Sequence, residues 1–390
     1  MLTSIKLFGK NILKGLNAAV GKILPVVDSR AGDTIAKIEK KELTKPHVIT
    51  GEINTYHYNK NTKPPYWIAL FNNSVNIPPL FYLSLQNVKL IGRGVLIYQN
   101  KVLLESAIFQ REYLNKLLIN HSILAALFKK PNARFGKAIP LLNKLSNNYY
   151  HWTTESLTRL AALKEYGTEN YDDYSVIIAA DAPSFVEESL LELFKISPKK
   201  IITWKNNDKG NIDDCILLSY PFIRTEQTNM TNVYNLPLYK LLNTASLKSI
   251  PSISETPEYI IISRKNVTQR KLLGEEKLLN SLPAIPFKII YTEKMGFSEQ
   301  VRMFRNAKLV IAPHGAGLIN LIYATKKPVV IEIFPTTRKI RDAGAYHQVA
   351  RALNIDYHLL VKEPCNNEQD IEITNDILLE IKSILASYQL

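Results

Sequence analysis

The strongest constraint on the fold is a regular alternation over residues 259–361. Short apolar, partly β-branched runs at Tyr259–Ser263, Phe287–Tyr291, Lys308–Ala312, Val329–Ile333 and Tyr357–Val361 are separated by helical patterns over 272–281, 298–306, 315–324 and 343–353. Strands in strict alternation with helices predict a doubly wound, Rossmann-like domain with a parallel sheet. Ligands of such sheets sit beyond the carboxyl ends of the strands. Three motifs fall at that edge: Ser263-Arg264-Lys265 after the first strand, Ala312-Pro313-His314-Gly315-Ala316-Gly317-Leu318-Ile319-Asn320 after the third, and Glu332 at the end of the fourth.

Each motif has a plain reading and a chemical one. Gly315 and Gly317 let a backbone approach a ligand closely, and a helix opening there offers unpaired N–H groups to a phosphate. The plain alternative is a tight turn that binds nothing, and His314 beside it favours a ligand. Arg264, Arg270 and Lys271 suit diphosphate oxygens, guanidinium groups bidentately and lysine as a point charge; otherwise they form a solvated basic loop. Glu332 can take two hydroxyls of a ribose, or can be a strand-end surface charge. Convergence on one edge favours a nucleotide site in all three cases.

Upstream, Ser249-Ile250-Pro251-Ser252-Ile253-Ser254-Glu255-Thr256-Pro257 reads as a linker and sets the domain boundary. The expected organisation is residues 1–27 as a basic amphipathic helix, 28–250 as a first α/β domain, 251–365 as the Rossmann-like domain, and 366–390 as a helix packing back on the first domain. Within 28–250, residues 28–80 are polar and proline-punctuated and read as irregular structure with short strands. Runs at Val88–Ile91, Val95–Tyr98 and Val102–Leu104 predict a β-meander, followed by a helix over 111–128. Strand Tyr174–Ala180, helix Ser184–Lys195, strands Lys200–Trp204 and Cys215–Ser219 and a helix near Leu236–Leu247 complete the domain.

The stretch from Asn147 to Leu160 opens a helix that runs to Tyr166-Gly167. His151, Glu155 and Arg159 stand four apart on one face, while Leu157, Leu160 and Leu163 point to the core. The polar trio is either a solvated ladder or a catalytic face, and the crowding of His151, Trp152, Tyr149 and Tyr150 at the helix start favours the second.

Forty-nine basic against 35 acidic residues, a net charge of +14, call for a negative partner. No K/R-rich cluster, zinc spacing or ribonucleoprotein-type aromatic motif points to nucleic acid. Cys215 and Cys365 stand alone, which fits a reducing compartment. At the N-terminus Ile5, Phe8, Ile12, Leu16, Ala19 and Ile23 share a face opposite Lys6, Lys10, Lys14 and Lys22. The lysines exclude a spanning helix, and no cleavage site follows an apolar core. The segment suits either an anionic membrane interface or docking on its own domain, with Gly9, Gly15 and Gly21 weakening it as a free helix. A dinucleotide oxidoreductase would need a G-x-G-x-x-G turn, which is absent.

Three motifs in order resemble those of the family 61 glycosyltransferases, which include bacterial capsule and cell-surface polysaccharide enzymes. Tyr150-His151-Trp152 through Glu155 to Leu157-Thr158-Arg159-Leu160 is similar to the family's tyrosine-histidine-tryptophan helix. Tyr259 through Arg264, with Arg270-Lys271 and Glu275 or Glu276, is similar to its isoleucine-serine-arginine segment. Ala312 through Asn320, with Glu332-Ile333-Phe334, matches its proline-histidine-glycine-alanine-glycine block most closely. The resemblance spans about residues 88–361. It departs at Glu155, where the family usually has aspartate, and at Thr158, where it often has proline.

What the resemblance implies is a GT-B-like α/β architecture, two Rossmann-like domains facing a cleft with an N-terminal β-rich and helical elaboration. It implies inverting transfer from a nucleotide-sugar, expected to be UDP-linked, to a glycan or lipid-linked glycan in capsular or cell-surface polysaccharide synthesis. No cofactor and no metal are expected, and no Asp-x-Asp stands in a position to hold one. The donor would be held by Ser263, Arg264, Arg270, Lys271, His314, Gly315, Ala316, Gly317, Asn320 and Glu332. Glu155 is preferred as the general base, with His151 holding the acceptor and Arg159 in a structural pair. A cytoplasmic enzyme, peripheral on the inner face of the membrane through residues 1–27, completes the expectation. The rival is a nucleotide- or polyanion-binding protein with a degenerate, non-catalytic site.

Overall fold

The computed structural model of the protein describes residues 26–27, 40–42, 47–49, 56–58, 75–106, 130–168, 170–205, 208–223, 232–253, 256–337 and 344–390. Apart from the strand Val26–Val27, the helix expected over 1–27 lies outside the described residues, as does the helix expected over 111–128. The chain forms two compact units. The first comprises Met1–Lys45, Pro79–Glu187 and Lys195–Tyr220; the second comprises Pro46–Pro78, Glu188–Phe194 and Pro221–Leu390.

The first unit carries β1 (Phe81–Ile91), β2 (Val95–Tyr98), β3 (Lys101–Leu103), β4 (Ala133–Pro140), helix α1 (Tyr149–His151, Trp152–Leu157 and Thr158–Tyr166 in succession), β5 (Ser175–Ala179), the start of α2 (Ser184–Phe194, of which Glu188–Phe194 belongs to the second unit), β6 (Ile201–Trp204) and β7 (Lys209–Leu218). Among the described residues its sheet runs Val26–Val27, β3, β2, β1, β7, β4, β5, β6, with Lys40–Glu42 paired to the start of β1. The β1–β2–β3 meander is antiparallel, as the turn signals predict, and β7, β4, β5 and β6 are parallel neighbours. Leu83, Leu85, Val88 and Leu90 of β1 alternate into a core shared with Ile177, Trp204, Ile212, Cys215 and Leu217. Each buried aliphatic side chain there contributes about 1.5–3 kcal/mol of transfer free energy.

Strand β4 is the element that sequence reading missed. Arg134, Gly136 and Lys137 between Pro131 and Pro140 look like a loop, yet β4 lies between β7 and β5. Its polar outward residues are held by partners rather than by periodicity: Arg134 Nε donates to Asp213 Oδ1 at 2.8 Å.

In the second unit α3 (Pro237–Ser249) precedes β8 (Tyr259–Ile262), α4 (Glu275–Ser281), β9 (Lys288–Ile290), α5 (Phe297–Arg305), β10 (Leu309–Pro313), β11 (Val329–Pro335), α6 (Gly344–Leu353), β12 (Tyr357–Lys362) and α7 (Asn375–Ser387). All strands of the main sheet are parallel, in the order β9-β8-β10-β11-β12. The strand Tyr56–Tyr58 adds itself beyond β12 from far upstream, which no local signal announced.

The chain passes into the second unit three times, at Pro46, Glu188 and Pro221, the last of them ahead of the stretch Ser249–Pro257. Arg305 holds the start of that stretch in place, Nη1 donating to Ile250 O at 2.6 Å and Nη2 to Ser246 O at 3.1 Å. Helix α7 belongs to the second unit: Ile377, Ile381 and Leu385 share a core with Ile261, Leu309, Ile331 and Leu360. Finally, the segment after the glycine turn, Ala316–Tyr323, is a 3₁₀-helix and not an α-helix.

Candidate active site

Numbered within the domain, the strand order of the second unit is 2-1-3-4-5, and its order reverses between β8 and β10, where a doubly wound sheet binds ligands. The residues leaving those two strands meet. A methyl group on Gly315 would lie 2.4 Å from Arg264 Nη1, so the absent side chain is what lets the guanidinium settle against the turn. Arg264 Nε is anchored on Gln269 O at 3.0 Å. A methyl on Gly317 would lie 2.8 Å from Thr292 Oγ1, which brings the loop after β9 to the same place. The first N–H groups of a 3₁₀-helix have no acceptor within it, so Ala316 and Gly317 present donors beside Arg264. An anion is the ligand this arrangement suits.

His314 and Glu332 form a buried pair, Nδ1 to Oε1 at 2.5 Å, at 5% and 0% side-chain exposure. The Tyr357 hydroxyl donates to the other carboxylate oxygen, Oε2. Both oxygens of Glu332 thus hydrogen-bond within the protein, one of them to His314, whose ring also packs against Phe334 and Tyr346. Asn320 is likewise fully buried; its Nδ2 donates to Gln300 Oε1 at 2.9 Å and Gly317 O at 3.0 Å, so it braces the turn.

Ser263 is buried and accepts from Lys265 N at 3.2 Å. It also hydrogen-bonds Glu275, whose carboxyl is pushed above its ordinary range by burial against the opposing pull of Ser263 and Lys265. Arg270 and Lys271 lie on the return loop, with Arg270 N donating to Glu368 O and Lys271 N to Asp370 Oδ1. Gln300, Thr292 and Tyr357 carried no sequence signal of a role here, because each reaches the site from a separate element.

In the first unit, α1 is the crossover from β4 to β5, so it begins beyond the carboxyl end of β4. Asn148 Oδ1 caps it, accepting from Tyr150 N at 3.0 Å. The next six residues, Trp152–Leu157, form a π-helical segment and are all buried. Thr154 Oγ1 donates to Tyr150 O at 2.8 Å and Thr158 Oγ1 to Thr154 O at 2.5 Å, the back-bonding that widens a helix. Single π turns recur at functional sites. Gly167 ends the helix in extended conformation, and a methyl there would lie 2.4 Å from Leu163 O.

His151 Nδ1 and Glu155 Oε1 are 2.7 Å apart, with the His151 side chain 23% exposed and that of Glu155 at 0%. The imidazole is therefore the member of the pair that a ligand can reach, and Glu155 sits behind it. Arg159 takes a structural role, Nε bonding Glu155 O and Nη1 donating to Leu218 O at 3.1 Å. Burial holds its guanidinium below its ordinary range, opposed by Tyr220 and Glu155. Among the described residues no three His, Cys, Asp or Glu side chains come together as a metal-binding group, and no helix is long and apolar enough to cross a membrane.

The parallel sheet, the glycine turn at its switch point and the two imidazole–carboxylate pairs define a Rossmann-like α/β protein with an anion site. Residues 149–331 match the family model described as Glycosyltransferase 61. The match opens on the first residue of α1 and ends one residue before Glu332. Over 104 residues the chain is 31% identical to the EGF domain-specific O-linked N-acetylglucosamine transferase of Gallus gallus, covering 25% of this chain and 18% of that protein. The proteins of the same description from Xenopus laevis (32% over 93 residues, 23% and 17% covered) and Mus musculus (27% over 103 residues, 25% and 19%) are similar. The aligned part spans less than a fifth of these relatives' length.

Proposed function

We propose that the protein is an inverting, metal-independent glycosyltransferase of GT-B type, moving a sugar from a UDP-linked donor to a hydroxyl of a glycan acceptor. The observation that carries this reading is the His151–Glu155 pair, an enclosed carboxylate behind an accessible imidazole, inside the family stretch. With Nδ1 held by Glu155, the other ring nitrogen is free to take the acceptor's proton, and the carboxylate stabilises the imidazolium as it forms. Roles are thereby reversed from the sequence expectation: His151 is the base and Glu155 its positioning residue.

The acceptor oxygen forms its bond to the anomeric carbon as the bond to the nucleotide diphosphate breaks, and the electron pair leaves with the diphosphate. Arg264, the N–H groups of Ala316 and Gly317, and the side chains of Arg270 and Lys271 supply the positive charge that stabilises it. His314, fixed by Glu332 and Tyr357, adds a donor at the same edge.

The acceptor is read as a growing capsular or cell-surface glycan, on the cytoplasmic face of a membrane that residues 1–27 contact. The specificity carried in the relatives' names, an EGF domain, is the alternative acceptor class. The test is turnover of a panel of UDP-sugars by the purified chain with glycan and EGF-domain acceptors. Transfer with inverted anomeric configuration supports the proposal. Tight UDP binding without any turnover would favour a non-catalytic binding protein.

A further inference from the structure

The first unit carries a second recess, unused by the chemistry above. It has a volume of about 420 Å³ and is lined by Gln86, Asn87, Lys89, Ile97, Tyr98, Gln99 and Asn100, from β1 and the β2–β3 hairpin. That size falls within the roughly 300–1,000 Å³ of small-molecule sites. Its lining is unusual in kind: four carboxamides, one ammonium, one phenol and one aliphatic side chain, and no carboxylate. No hydrogen bond ties the four amides to other described residues, so each offers a donor and an acceptor to the recess.

The backbone is built to present them. Asn87, Gln99 and Asn100 all have positive φ, at 58°, 48° and 58°. Gln99-Asn100 closes the hairpin between Tyr98 and Lys101, the turn in which both central residues take the left-handed conformation. Asn87 interrupts the ladder of β1, where Gln86 pairs with Asp214 and Val88 with Ile212. Left-handed conformation is unfavourable for a glutamine, and such strain persists where the surrounding structure holds it.

We propose that this recess binds a sugar unit of the acceptor glycan. Amides spaced around a cavity match the paired donor and acceptor hydroxyls of a pyranose, and Ile97 offers its apolar face a small surface. The absence of acidic groups and the single Lys89 admit neutral or singly anionic sugars. The identity of the ligand as an acceptor segment rests on the transferase reading; the existence of the site does not.

Saturation-transfer NMR on the full chain with maltose, cellobiose, lactose and chitobiose tests it, with UDP titrated in the same preparation. The expected result is binding of at least one disaccharide, weakened about tenfold or more by the double variant Gln86→Ala, Asn100→Gly, through two lost hydrogen bonds. Glycine at 100 keeps the left-handed turn, so the variant should fold, with an unchanged far-UV spectrum as control. A wild-type chain that binds UDP but no disaccharide overturns the recess and leaves the transferase reading standing. Binding of a disaccharide but not UDP does the reverse. Undiminished disaccharide binding by the folded double variant places the sugar elsewhere and also overturns the proposal.

Discussion

Glu155 is fully enclosed, and its Oε1 lies 2.7 Å from Nδ1 of His151, whose side chain is 23% exposed. A carboxylate in that position cannot meet an acceptor hydroxyl directly, but it can set the tautomer of the imidazole that does. His151→Ala should therefore lower turnover by about 10²–10⁴-fold with donor affinity nearly intact. Glu155→Gln should lower it too, because the amide cannot stabilise an imidazolium. Full activity in His151→Ala, measured with donor binding on the same preparation, would put the active site elsewhere.

The close approach of Arg264 to Gly315 makes a coupled prediction. Gly315→Ala should displace the guanidinium and weaken UDP binding, as should Arg264→Ala, the latter by ~1.5–3 kcal/mol for a charge-assisted bond. The double variant should be no weaker than Arg264→Ala alone, since both changes remove one interaction. Additive losses by calorimetric titration would separate the two residues.

Tyr357 hydrogen-bonds the buried Glu332, so Tyr357→Phe leaves a carboxylate oxygen without its donor. The expected cost is about 1–3 kcal/mol of stability, seen as a lower midpoint in urea. UDP affinity should fall as well if His314 loses its fixed orientation; an unchanged affinity would limit the His314–Glu332–Tyr357 chain to a structural role.

His347, on α6, is fully buried, and burial together with Arg351 lowers its imidazole to about 3. The folded value lies below the unfolded one, so His347 stabilises fully above about pH 6.5 and progressively less as pH falls towards 3. The slope from this group approaches ~1.4 kcal/mol per pH unit. Denaturation midpoints compared between the wild type and His347→Gln should converge as pH is lowered through that window. A constant difference would assign the acid sensitivity to other groups.

The lysine face opposite the apolar stripe of residues 1–27 predicts binding to anionic vesicles at low salt. Deleting 1–25 should abolish that binding while leaving turnover of a soluble acceptor little changed. Full-length protein that ignores such vesicles in sedimentation would assign the segment to the fold.

Local pattern was enough for β8 to β12 and their helices, because each short β-branched run or 3.6-residue stripe reports which face of its own element is buried. In α1 spacing could not separate a core face from a polar one, because every residue from Trp152 to Leu163 is buried. What a pattern cannot report is which distant element covers that face. The parallel register of β10 on β11, with Ala312 opposite Glu332, is what brings the Glu332 carboxylate to His314. Burial within the first unit decides that His151, not Glu155, is the reachable group. The capture of Ser246 and Ile250 by Arg305, and of α7 by the core around Ile261 and Ile331, moved two boundaries that composition had drawn elsewhere. Periodicity is a property of one segment, whereas pairing, exposure and domain membership depend on the segments packed against it.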